Sequence, residues 1–247
     1  LATAPRRADA FFMSTSRASS VHTPAMSTLS GVGPITCGRY ELIAKIGHGG
    51  MADVFLGVAG GEGGFRKLIV VKRMHPELLE EEQFRDMFLD EARLAARLNH
   101  LNIVQTQEVD TSSDGVPYIA MEYLEGQSLD KIIRQSVKTN KTLTLEYIVP
   151  IISGMLDALH YAHTATDYDG TELAVVHRDI SPGNIFVTYE GAPKLLDFGI
   201  AKATTQVAET RTGNIKGKLS YMAPEQARSQ KLDGRADIWS TGVVFWE

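Results

Sequence analysis

The residues best equipped for chemistry lie in two strings, His177-Arg178-Asp179-Ile180-Ser181-Pro182-Gly183-Asn184 and Asp197-Phe198-Gly199. Asn184 follows Asp179 by five residues and Asp197 follows it by eighteen. Carboxylate and amide oxygens are hard donors that suit Mg²⁺, and a positioned carboxylate can also orient a hydroxyl group and accept its proton. Phosphoryl transfer needs both services. Asp179 fits the proton-accepting role, and Asn184 with Asp197 fits the metal-binding one. An isolated His-Arg-Asp reads equally well as a solvated turn. The asparagine and the second aspartate downstream weigh against that reading.

Two further clusters lie upstream. The first is Ile46-Gly47-His48-Gly49-Gly50-Met51-Ala52-Asp53-Val54. Its glycines let backbone amides approach phosphate oxygens with no Cβ in the way, although a plain hairpin turn has a similar composition. The second is Lys72 after Ile69-Val70-Val71. Strand alternation puts Leu68, Val70 and Lys72 on one face, where a pocket wall or a solvated surface could lie. Glu91 favours the pocket. It shares a helical face with Phe88, Ala95 and Leu98, where an unpaired carboxylate is costly, and Lys72 is the cation on offer.

The elements that must hold these groups can be read from periodicity. Short β-type runs at Tyr40–Ile46, Asp53–Val58 and Arg66–Arg73, separated by glycine clusters, predict an antiparallel meander. A helix carrying Phe84, Met87, Phe88, Glu91, Ala95 and Leu98 follows, then strands over Val104–Val109 and Tyr118–Glu122. Beyond Gly126 the pattern turns helical. Tyr147, Ile148, Ile151, Ile152, Met155, Leu156 and Leu159 form a wide apolar face suited to a buried central helix. Strands first and helices afterwards predict an α+β protein with a small β-rich lobe and a larger helical one. Residues 1–38, rich in Ser, Thr, Ala and Pro, are expected to form a disordered leader.

The order of these motifs resembles that of bacterial eukaryotic-like (Hanks-type) serine/threonine protein kinases. The resemblance runs from Arg39 to the last residue and includes Ala223-Pro224-Glu225. It implies a two-lobed kinase fold over 39–247, with an N-lobe at about 39–122, a hinge at about 122–126 and a partial C-lobe beyond. The later helices of the family domain are expected to be missing. It also implies ATP and Mg²⁺ (with Mn²⁺ as an alternative ion) and transfer of the γ-phosphoryl group to Ser or Thr of protein substrates. ATP would contact Ile46, Gly47, His48, Gly49, Gly50, Met51, Ala52, Asp53 and Val54, together with Val70, Lys72, and Glu122 and Leu124 of the hinge. The Lys72–Glu91 pair would hold the α- and β-phosphates, and Met121 would stand behind the adenine. His177 and Phe198 would pack between the lobes, and Asp237 would accept backbone amides under the catalytic loop. Thr210 and Thr212 match the spacing at which bacterial relatives autophosphorylate, which implies self-association in trans, with Arg178 as the phosphate's partner.

Two departures stand out. Ala52 replaces the third family glycine. Ser181 stands where the family has a γ-phosphate-binding lysine, while Lys218, after Gly217, stands where it has a threonine. The two residue types look exchanged, and both sites are expected beside Asp179. Two alternatives stand beside the kinase reading: a pseudokinase or nucleotide-binding scaffold, which Ser181 would favour, and an inactive truncated fragment, which the expected loss of the later helices would favour.

Bulk properties narrow the partners. A net charge of -5 gives no case for nucleic acid or an anionic membrane as main partner. The single cysteine, Cys37, excludes an internal disulfide and fits a reducing, cytoplasmic setting. No run approaches the roughly 20 apolar residues of a membrane span.

Overall fold

The computed structural model describes residues 35–198 and 219–247. Six antiparallel strands form the first sheet: β1 (Ile35–Cys37), β2 (Tyr40–His48), β3 (Ala52–Gly60), β4 (Arg66–Met74), β5 (Thr106–Thr111) and β6 (Pro117–Glu122), in the order β1-β2-β3-β4-β6-β5. Helix α1 (Glu82–Arg97) lies between β4 and β5. The strand β1 corrects the expected leader boundary, because Ile35 to Cys37 pair with Leu42 to Tyr40 and Cys37 is fully buried. Gly38 makes that turn possible. Its φ is +57°, and a Cβ there would fall 2.1 Å from the Tyr118 hydroxyl.

The alternation read from the sequence divides the two faces of this sheet. Ile69 and Val71 of β4 pack with Cys37, Tyr40, Leu42, Tyr118 and Ala120 on one side. On the other, Ala52 and Met74 pack with Phe88 and Ala92 of α1 and with Ile119. The remainder of that second face, at Val54 and Val70, is only half covered. A groove is therefore left beside Lys72, which pairs directly across from Val54.

A second sheet of β7 (Gly126–Ser128), β8 (Ile185–Thr188) and β9 (Pro193–Leu195) sits among helices α2 (Leu129–Thr139), α3 (Leu145–His163), α4 (Pro224–Ala227) and α5 (Arg235–Trp246). Gly126 is required where β7 meets β8, since a Cβ would lie 2.2 Å from the Val187 carbonyl oxygen. The core of this part gathers Ile151, Met155, Ala158, Leu159 and Ala162 of α3 against Ile185, Val187, Leu195 and Phe198. Leu156, expected on the buried face, is 38% exposed, because it projects a third of a turn away from Met155. The expected strand at Val104 begins instead at Thr106. Val104 donates its N–H to the carbonyl of Leu195, and Ile103 bridges Leu195, so this segment joins the two sheets. No helix among the described residues is long and apolar enough to cross a membrane.

Candidate active site

Lys72 reaches from β4 across the groove. Its Nζ lies 2.8 Å from Glu91 Oε1 on α1 and 2.9 Å from Asp197 Oδ1 on the segment after β9. The pairing anticipated for Lys72 and Glu91 is thus extended to a third member, 125 residues away from the lysine in sequence. Burial alone would depress the lysine, but Asp197 and Glu91 together hold its pKa above the ordinary value and keep it charged. Two carboxylates share one ammonium, and they fare differently. Burial pushes Glu91 upward against the pull of Lys72. Partial desolvation opposes ionisation of Asp197 as well, although its side chain is 45% exposed, and the ammonium outweighs it, so the carboxyl stays below its usual range.

Asp179 and Asn184 face each other across the 3₁₀ turn Pro182–Asn184. The Nδ2 of Asn184 donates to the Asp179 carbonyl at 2.8 Å and to its carboxylate at 2.7 Å. Both contacts come from the amide nitrogen, so Oδ1 is the atom left to meet a cation. With the carboxylate of Asp197, this gives the oxygen-rich donor set that Mg²⁺ prefers, and the residues present fit that ion. Ser181 is buried immediately before the turn, and its carbonyl accepts the N–H of Asn184.

The loop carrying Asp179 is held from beneath. Asp237, at the start of α5 and almost fully buried, accepts the N–H groups of His177 and Arg178 at 2.8 Å each. His163 Nε2, at the end of α3, lies 2.8 Å from the same carboxylate. His177 donates from Nε2 to the Leu196 carbonyl and accepts the Asp179 N–H at Nδ1, which fixes its tautomer. Its ring packs 4.6 Å from that of Phe198. Arg178 adopts φ +64°, and its buried Nε has no hydrogen-bond partner among the described residues. Gln226 of α4 donates to the Arg178 carbonyl.

The glycine-rich stretch forms the β2–β3 hairpin, closed by Gly49 N–H donating to the Ala52 carbonyl. Gly47 pairs with Val54, which pairs in turn with Lys72, so the hairpin overhangs the ammonium. Ile46 is 44% exposed, and Val54, Val70 and Met121 are half-buried, an apolar wall that no element among the described residues covers fully. The side chains of His48 and Asp53 turn to each other and to Lys45 and His75. At the hinge, Glu122 spends its carboxylate on Lys194 Nζ at 2.5 Å and on the Gln105 N–H, and its own N–H on the Gln105 carbonyl at 3.0 Å, so neither its side chain nor its N–H is left for a ligand. The backbone N–H of Leu124 has no partner among the described residues.

His163, Lys194, Gln105 and His75 were not legible as members of this region. Each meets its partner through the fold, and none stands in a motif. Gly199, Thr204, Thr205, Thr210, Thr212 and Lys218 lie outside the described residues.

Residues 40–247 match the protein kinase domain family. The chain belongs to that family. Among its relatives are the Tyrosine-protein kinase MasK of Myxococcus xanthus, 47% identical over 85% of this chain, and the probable serine/threonine-protein kinase PknB of Bifidobacterium longum, 36% identical over 85%. The chain spans about a third of the length of these curated relatives, 32% and 30%. The crystal structure of the Mycobacterium tuberculosis PknI kinase domain superposes with a TM-score of 0.64 at 26% identity, covering 87% of this chain and 74% of that one. The fold is therefore the protein kinase fold, with a curled antiparallel N-lobe and a mainly helical second part.

Proposed function

We propose that this protein kinase domain transfers the γ-phosphoryl group of ATP to serine or threonine hydroxyls of proteins. The observation that carries the reading is the single ammonium of Lys72 held between Glu91 and Asp197, beside an Asp179–Asn184 pair. Lys72 would meet phosphate oxygens, Asn184 and Asp197 would hold Mg²⁺, and Asp179 would orient the acceptor hydroxyl and take its proton. The bound ion would offset charge on the phosphate oxygens. Adenine would lie against Ile46, Val54 and Val70, with its edge on the backbone of Glu122 and Leu124. Thr210 and Thr212 are the proposed self-phosphorylation sites, modified by a second copy of the chain.

A second reading, tyrosine as the acceptor, is favoured by one observation: the relative that is 47% identical carries the name of a tyrosine-protein kinase. Against it stands Pro182 after Ser181, the proline that the serine/threonine pattern has in this loop. Incubation with γ-³²P-ATP and a mixed protein acceptor, followed by phosphoamino-acid analysis, decides the matter. Label on serine and threonine supports the first reading, and label on tyrosine alone supports the second. ATP binding without transfer would leave a nucleotide-binding scaffold.

A further inference from the structure

Behind the glycine-rich turn, three side chains from separate segments converge. His48 ends β2, Asp53 pairs across from it on β3, and His75 follows β4. His48 Nδ1 lies 2.6 Å from Asp53 Oδ1, and His75 Nε2 lies 3.1 Å from the same oxygen. The two imidazoles stack, with centroids 5.1 Å apart and planes 25° from parallel. One ligand atom from each residue falls within 4.8 Å of the others. The other carboxylate oxygen is held by Lys45 at 2.7 Å, and the Lys45 ammonium also lies 3.5 Å from His48 Nδ1.

We propose that His48, Asp53 and His75 bind a divalent transition-metal ion of the Zn²⁺ class, which clamps the glycine-rich turn to the chain leaving β4. Two imidazoles and one carboxylate are a donor set that zinc takes with a fourth position left for water. Ligand atoms on a tetrahedral zinc stand roughly 3.3 Å apart, since each bond is about 2.0–2.1 Å. The separation of His75 from Asp53, 3.1 Å, is close to that value, whereas that of His48 from Asp53, 2.6 Å, must open to it and the gap between the imidazole nitrogens must close. His48 is free to make this movement, being 68% exposed on a turn flanked by glycines.

Each imidazole now faces the carboxylate with a hydrogen-bonding nitrogen. In the neutral rings the proton moves to the other nitrogen when the metal takes the lone pair, so no proton is lost overall. Lys45 stays on the far carboxylate oxygen and aims the near one, as an outer partner of a metal ligand does. Mg²⁺ does not suit the site, because two of the three donors are nitrogen. The His75 N–H already donates to the Met51 carbonyl at 2.9 Å, so the ion would add a second tie between the same two segments.

The test uses the chain without nucleotide. Co²⁺ alone is added and the visible absorption of a tetrahedral complex is followed, then Zn²⁺ is titrated calorimetrically and hydrogen exchange of residues 47–53 is compared with and without Zn²⁺. One ion per chain, a Co²⁺ band displaced by Zn²⁺ but not by Mg²⁺, and slowed exchange in the turn are expected. His75→Gln and His48→Gln, each checked for fold by circular dichroism, should weaken Zn²⁺ at least about tenfold. His48→Gln decides alone if the other variant does not fold. Absence of a band or of binding heat with Zn²⁺ in excess, or unchanged affinity in the variants, overturns the proposal. These readouts do not depend on phosphoryl transfer, so they stand apart from any failure of the kinase reading.

Discussion

Asn184 Nδ2 binds Asp179 twice, at the backbone carbonyl and at the carboxylate, 2.8 and 2.7 Å away. The proposed base and the proposed metal ligand are thus one rigid unit, in which the amide proton aims the carboxylate and the amide oxygen faces outward. Replacing Asp179 by Asn removes the proton acceptor while leaving a polar group of the same shape. Turnover should fall by about 10²–10⁴-fold, the usual range for a lost acid–base group. Affinity for a non-hydrolysable ATP analogue should change little, because the loss is felt in the transition state. A parallel loss of analogue binding, measured by calorimetry, would contradict the assigned role.

Lys72 serves a buried acid, Glu91, and a more exposed one, Asp197, so its removal has a structural as well as a catalytic consequence. Lys72→Met should abolish phosphoryl transfer and leave the fold in place, but it strands Glu91, whose side chain is only 12% exposed. A stranded buried charge costs about 3–5 kcal/mol when it cannot neutralise. Adding Glu91→Gln to Lys72→Met should therefore raise the urea midpoint above that of the single variant without restoring activity. Additive destabilisation would show that Glu91 does not depend on Lys72.

The groove and its lysine were legible because both rest on short-range regularities. Alternation in Leu68-Ile69-Val70-Val71-Lys72 assigns faces, and the spacing of Phe88, Glu91, Ala95 and Leu98 puts one acid among apolar neighbours. Asp237 was placed as a support by another route, the resemblance of its segment to the family's motif. His163, Lys194 and His75 follow another logic. His163 meets Asp237 from 74 residues away, and Lys194 meets Glu122 from 72. Nothing in the local pattern of either segment requires a partner, so only the closed fold reveals it. The strand at Ile35–Cys37 was hidden for a related reason: three residues are too few to show a period, and its hydrogen bonds depend on β2.

Tyr118 links the buried side of the first sheet to pH. Its ring is fully buried edge-on to Tyr40, and its hydroxyl donates to Glu108 at 2.8 Å. Burial, with Glu108 beside it, raises the phenol well above its ordinary value. The folded protein therefore keeps this proton after the unfolded chain has released it. Stability is complete below about pH 10 and falls as pH rises beyond that, by up to about 1.4 kcal/mol per pH unit from this group. Urea midpoints between pH 9 and pH 11 should fall less steeply in Tyr118→Phe than in the parent, as the range is set by an ordinary tyrosine near pH 10. Equal slopes would assign the alkaline loss to other groups.

Ser181 sits two residues after Asp179, buried against the turn that carries Asn184. The family's lysine at this place would bring a cation to the γ-phosphate, and here none is available from that position. From the sequence, Lys218 is the proposed replacement, with a hydroxyl and an ammonium supplied from opposite segments and the same net chemistry beside Asp179. The cation would then ride on the activation segment, the stretch between Asp197 and Ala223-Pro224-Glu225, so that turnover would depend on how that segment is placed. Lys218→Thr alone should lower turnover by about 10²-fold or more, the scale of one lost preorganised electrostatic contact. Ser181→Lys joined to Lys218→Thr should recover much of that loss, because it returns the ammonium to the loop beside Asp179. A double-mutant cycle on kcat, with each variant's ATP-analogue affinity measured alongside, reads the coupling directly. Independent, additive losses would mean that the two positions do not exchange roles, and that phosphoryl transfer, where it occurs, proceeds without this cation.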